Sequence, residues 1–180
     1  MVFDWDDHGE QTGRNAMCWM VELKKIRPDF KATLFAVPAW GSQVFWRSHP
    51  DWIELAVHGH DHHSNYECAE WGYARMVEAM LNAPVGFVRG FKAPGWQISN
   101  GCYEALQDCN WWVADQHLED HRRPIDLPVY LYEDGQNWHG HVTDVCGNGL
   151  NETWEHVKQL VRDADCFEFA SENAHARVAA

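Results

Sequence analysis

A chain of 180 residues, 46% of them hydrophobic, is long enough to bury its own core and too apolar to belong with disordered proteins. Its 27 acidic against 14 basic side chains leave a formal charge of −13, which repels polyanions and argues against nucleic acid as a partner. No apolar run approaches the roughly 20 residues that span a bilayer. No basic start followed by an apolar stretch marks a secretion signal, so the expected location is cytoplasmic, or secreted if the chain is trimmed from a precursor.

Residues 1–5 read as a short strand and polar residues 6–13 as a loop. Residues 15–26 set Ala16, Met17, Met20 and Leu23 at helical spacing, and Pro28 follows their end. A strand is predicted over 31–37, stopping at Pro38. A short amphipathic piece over 42–47 leads to a third strand over 52–57. Residues 67–82 predict a helix with Tyr73, Val77, Met80 and Leu81 on one side. A strand over 86–91 follows, then a helix to residue 108 capped by Ser99 or Asn100. Strands over 111–114, 129–132 and 137–142, a helix over 151–162 and a strand over 166–169 complete the pattern. Residues 1–170 form one domain, and polar, alanine-rich 171–180 a loosely held tail. Strands and helices that alternate through short connections predict an α/β fold with a mostly parallel sheet.

The six cysteines (18, 68, 102, 109, 146 and 166) form no C-x-x-C pair and read as reduced, mostly buried thiols. The eleven tryptophans read mainly as core. A few are expected to line a sugar-binding groove, since a flat indole matches a pyranose face.

The densest chemical signal is His58-Gly59-His60-Asp61-His62-His63, four imidazoles in six positions at the end of an apolar run. Imidazole is the commonest protein ligand for zinc and related metals. His58 and His62 lie four apart, so one tight turn can aim both inward, while His60, His63 and His8 stand as other members of the set. Asp7 offers a third ligand, and two histidines with one carboxylate suit an open catalytic site. Asp6 beside it allows a division of labour in which one carboxylate binds metal and the other takes a proton. Late in the chain, His139 and His141 share one strand face, where one can act as a general acid. These residues, with residues 92–94 and Asp115, repeatedly follow predicted strands, and in α/β barrels the carboxyl ends of strands form the active-site face.

The order of these motifs resembles the polysaccharide deacetylase family, carbohydrate esterase family four, also called NodB-like deacetylases. The likeness runs from about residue 2 to residue 169. It implies a distorted (β/α) barrel of seven or eight strands, mostly parallel. By the match at Phe3-Asp4-Trp5-Asp6-Asp7, Asp6 is the catalytic base and Asp7 a metal ligand; by the match at residues 58–62, His58 and His62 complete the metal set. The third motif is matched by Lys92-Ala93-Pro94-Gly95-Trp96. There Pro94 and Trp96 shape a groove wall and the Gly95 N–H faces the oxyanion. Asp115 occupies the place of the fourth motif, and His141 matches the fifth as the acid, with His139 as its alternate.

The resemblance further implies a divalent metal, zinc first, with cobalt, nickel or manganese accepted by the same ligands. The implied substrate is an N-acetylated sugar or polysaccharide. Lys92 stands where the family has arginine, so a two-pronged brace on Asp6 becomes a point contact, with Arg89 as the alternate that could compensate. Two other functions share these residues: an amidohydrolase cutting a non-peptide C–N bond in a small molecule, and a glycan- or metal-binding module without turnover.

Overall fold

A computed structural model of the protein describes residues 1–116, 124, 126–132, 137–142 and 154–178. Seven strands form one sheet: β1 (Phe3–His8), β2 (Ala32–Ala36), β3 (Ile53–His58), β4 (Gly90–Lys92), β5 (Trp112–Asp115), β6 (Val129–Leu131) and β7 (Trp138–His141). Every pairing is parallel, in the order β6-β5-β4-β3-β2-β1-β7. Parallel strands are covered on both faces. Accordingly β2 and β3 are buried at every position.

The sheet curls into a half barrel. In a flat sheet, five inter-strand steps of about 4.8 Å would set β6 about 24 Å from β1. Instead the Tyr130 hydroxyl of β6 donates to Asp4 Oδ2 of β1 at 2.6 Å. Phe35 of β2 meets Trp112 of β5 edge-on at 6.0 Å, filling the interior. This is the distorted (β/α) barrel expected from the sequence.

Helices cover the outside. α1 (Glu10–Ile26) buries Ala16, Met20 and Leu23, one stripe at helical spacing, and has Lys24 and Lys25 in its last turn, where cations offset the helix dipole. α2 (Gln43–Trp46) is a single turn. α3 (Tyr73–Leu81) buries Met76, Ala79 and Met80, whereas Tyr73 and Leu81 are exposed, so its inward face is rotated from the predicted stripe. α4 (Asn100–Asp108) starts at Ser99, whose side chain accepts from the Cys102 N–H at 3.1 Å, as a cap should. α5 (Trp154–Asp163) buries Val157 and Val161. α6 (Ala170–Val178) closes the chain.

Other expectations change too: residues 6–8 belong to β1 and 10–13 to α1 instead of a loop. Residues 166–169 contribute only one bridge, Val2 to Glu168, instead of a strand. The tail is a docked helix up to residue 178: Ala170 and Ala174 are fully buried, and the Ser171 N–H donates to the buried Glu54 at 3.2 Å. The small residues that made the segment look featureless are what lets it pack closely. The thiols are less uniformly buried than expected, with Cys68 and Cys102 inside and Cys18 and Cys166 exposed; Cys146 lies outside the described residues.

Candidate metal and acid–base site

The carboxyl ends of β1, β3, β4 and β7 bring Asp6, Asp7, His58, Lys92, His139 and His141 to one edge. Neighbouring residues on a regular strand point to opposite faces. Asp6 and Asp7 escape this because the β1–β2 register slips between Trp5 and His8, and Asp7 takes a left-handed φ of 62°. A bulge of this kind re-aims a side chain, and here it turns both carboxylates toward the site.

Asp7 Oδ1 lies 3.5 Å from His58 Nε2 and 3.2 Å from His62 Nε2. Burial pushes the Asp7 carboxyl up, but the two imidazoles outweigh it and hold it well below the usual carboxylate range. His58 Nδ1 donates to the Lys92 carbonyl at 3.0 Å, which fixes the ring with Nε2 facing Asp7. His62 reaches the same point through a turn with Gly59 at φ 63° and His62 at φ 52°. The buried Glu67 shapes this turn, accepting from the His60 and His62 N–H groups at 3.0 Å each. A Cβ on Gly59 would stand 2.5 Å from Glu67 Oε2 and 2.8 Å from Pro94, so only glycine fits there.

These three residues fit a metal. Tetrahedral ligands about 2.0–2.2 Å from zinc stand roughly 3.3–3.5 Å from each other. The observed 3.2 and 3.5 Å separations match that spacing. Asp7 Oδ1 is also a buried oxygen lacking a well-aligned hydrogen-bond donor, an unmet demand that a cation would meet.

Asp6 is nearly buried, 2.8 Å from Lys92 Nζ through Oδ1, while Oδ2 lies 3.8 Å from His58 Nε2 and 3.7 Å from His139 Nε2. Lys92 is buried and its ammonium rests over Trp96, 4.1 Å from the ring centre. Arg89 is exposed at the opposite end of β4, so it does not act as a second brace on Asp6. Asp4, Lys92, His139 and Tyr130 form a network beneath: Asp4 Oδ1 is 2.6 Å from His139 Nδ1 and 3.4 Å from Lys92 Nζ. Burial raises the Asp4 carboxyl, yet Lys92, His139 and Tyr130 bring it down to about 2.

Asp6, His139 and His141 form a second cluster of metal-ligating atoms, and Asp61, His63 and Glu67 a third. Charge argues against a second dication in either. The carboxylates of Asp4, Asp6 and Asp7 would be balanced by Lys92 and one divalent cation, and another beside Lys92 would be uncompensated. Glu67 is committed to backbone N–H groups, and exposed His63 pairs with Asp61 at 2.7 Å.

Other expected residues fall differently. His60 joins neither inner cluster; its backbone ties to Glu67 and Ala39. His8 faces away and lies 2.7 Å from His49. Asp115 is buried and accepts from Tyr103 at 2.6 Å, on α4. Pro94 is buried against Gly59, and Gly95 is exposed at φ 58°. Asp4, Tyr130 and Glu67 are the residues that sequence reasoning passed over. For Asp4 a signal existed: it shares a strand face with Asp6, as His139 does with His141.

Beside His62, a cleft of about 370 Å³ is lined by Gly9, Gln11, Thr12, Ala39 and Trp40. The Trp40 ring lies 5.8 Å from the His62 ring, with its Nε1 donating to the Asp61 carbonyl at 3.0 Å.

No protein-family model and no curated protein matches the chain. Among solved structures it is similar to a family 4 carbohydrate esterase from Streptomyces lividans in complex with acetate, at a TM-score of 0.51 and 14% identity. The match covers 65% of this chain and 62% of that one, so less than two thirds of the esterase is represented. The likeness is one of fold.

Proposed function

We propose that the protein is a metal-dependent deacetylase that hydrolyses the acetamido group of an N-acetylated sugar or polysaccharide. The observation that carries this reading is the convergence of Asp7, His58 and His62 next to an Asp6 carboxylate held by Lys92. A divalent metal bound by those three residues, zinc first, would polarise the acyl carbonyl as a Lewis acid.

The chain's own groups divide the proton work. Asp6 Oδ2 stands between the metal ligands and His139, 3.8 Å from His58 Nε2 and 3.7 Å from His139 Nε2. From there it takes the proton of a water as the water oxygen bonds to the carbonyl carbon. The C–N bond then breaks, and His139, as imidazolium, gives its Nε2 proton to the departing amine while acetate leaves. Lys92 keeps Asp6 from turning away. Trp40, pinned through its indole N–H beside His62, offers a flat face of the kind sugars stack on, and this favours a glycan over a small acyclic amide.

The test is elemental analysis of the purified protein together with acetate release from N-acetylated and O-acetylated glycans and from cyclic amides. One divalent ion per chain and acetate from N-acetylated glycans are expected. Asp6→Asn should keep the metal and slow turnover by about 10²–10⁴-fold. Absence of acetate release from every glycan by zinc- or cobalt-loaded protein would overturn the reading.

A further inference from the structure

We infer that Asp4 is a positioning residue for this site: it holds His139 by Nδ1 so that Nε2 faces Asp6. The inference rests on the deacetylase reading for its catalytic consequence, and on geometry alone for the hydrogen bond. Asp4 is fully buried on β1, directly opposite His139 in the β1–β7 register. Three groups converge on its carboxylate, two of which also meet each other. Oδ2 accepts from the Tyr130 hydroxyl at 2.6 Å, Oδ1 meets His139 Nδ1 at 2.6 Å, and Lys92 Nζ stands 3.4 Å from Oδ1 and 3.2 Å from His139 Nδ1.

Counting donors and acceptors settles where the proton sits. An ammonium has no lone pair to offer, and an ionised carboxylate has no proton. Asp4 is ionised under these neighbours, which hold it far below neutrality. The hydrogen in the 2.6 Å contact with His139 therefore belongs to Nδ1. Lys92 donates to Asp4 at 3.4 Å and forms an ion pair with Asp6 at 2.8 Å. The far side of the ring, Nε2, is left facing Asp6 Oδ2 at 3.7 Å. Tyr132 and Trp96 wall the imidazole in, with ring centres 4.9 and 5.9 Å away. A carboxylate on Nδ1 fixes tautomer and orientation and stabilises the imidazolium that a general acid must be. The competing role is charge balance for Lys92 alone, under which His139 would be indifferent to Asp4.

Long-range proton–nitrogen correlation spectra of histidine-labelled, zinc-loaded protein decide between them, with His139→Gln assigning the resonance. Neutral His139 in the unmodified protein is expected to carry its proton on Nδ1. Asp4→Asn should abolish that preference and lower kcat by at least about tenfold, leaving KM and metal content unchanged. The double variant Asp4→Asn/His139→Gln should be no slower than His139→Gln alone. A proton found on Nε2 of neutral His139 in the unmodified protein overturns the inference and needs no variant to fold. So does a double variant whose loss is the product of the two single losses. Should no glycan release acetate, the deacetylase reading fails, while the spectrum still decides the Asp4–His139 bond.

Discussion

His139 and His141 are two residues apart on one strand face, and the sequence alone favours His141 as the acid. Their surroundings separate them. His139 keeps only 10% of its side chain exposed and is bound by Asp4, whereas His141 is exposed opposite Asp6. An acid needs a fixed direction of delivery, which a held ring has. We therefore expect His139→Gln to lower kcat by about 10²–10⁴-fold and His141→Gln by less than about tenfold. Steady-state kinetics on an N-acetylated oligosaccharide check this, and a larger loss from His141→Gln would return the acid role to it. Lys92 behaves as its chemistry dictates. One nitrogen makes one short contact with Asp6, at 2.8 Å, where a guanidinium fork would make two.

The β1 element does more than carry the aspartates. Its last residue, His8, is fully buried against Phe45 and Trp46, with Nε2 2.7 Å from His49 Nε2. Burial first, and then the nearby His49, push the His8 imidazole down to about 3. Its folded pKa thus lies below the usual 6.5, and the unfolded chain takes the proton that the folded one refuses. The resulting stability is complete above pH 6.5 and is lost as the pH falls from there toward 3, by at most about 1.4 kcal/mol per pH unit. Urea unfolding midpoints of the metal-free protein should fall across that window, with a shallower slope in His8→Gln. Equal slopes in the two proteins would remove His8 as the cause. The same element shows why its chemistry was half visible: alternation predicts opposed aspartates, and only the bulge at Asp7 makes them neighbours.

At the scale of the molecule, the site ties β1 to β3 through residues about fifty positions apart, so a bound cation cross-links the half barrel. A ligand that binds only the folded chain stabilises it by about 2.7 kcal/mol at a hundredfold excess over its Kd. Chelation should therefore lower the thermal midpoint, zinc should restore it, and His62→Ala should make the midpoint insensitive to zinc. A metal-free protein that melts unchanged would place the cation elsewhere. No helix among the described residues is long and apolar enough to cross a membrane. Local order was readable from the chain because it depends on near neighbours. The Ser99 cap and the α1 stripe follow from residue type and spacing, which also mark Asp6, Asp7, His58 and His62 as candidates. The phase of α3, the docking of α6 and the pairing of buried Asp4 with His139 were not readable. They depend on the strand order, which sets β7 beside β1, and on the curl of the sheet, which brings Tyr130 across to Asp4. Periodicity tells a segment which face to bury, but only the folded barrel supplies the partner that a buried charge must find.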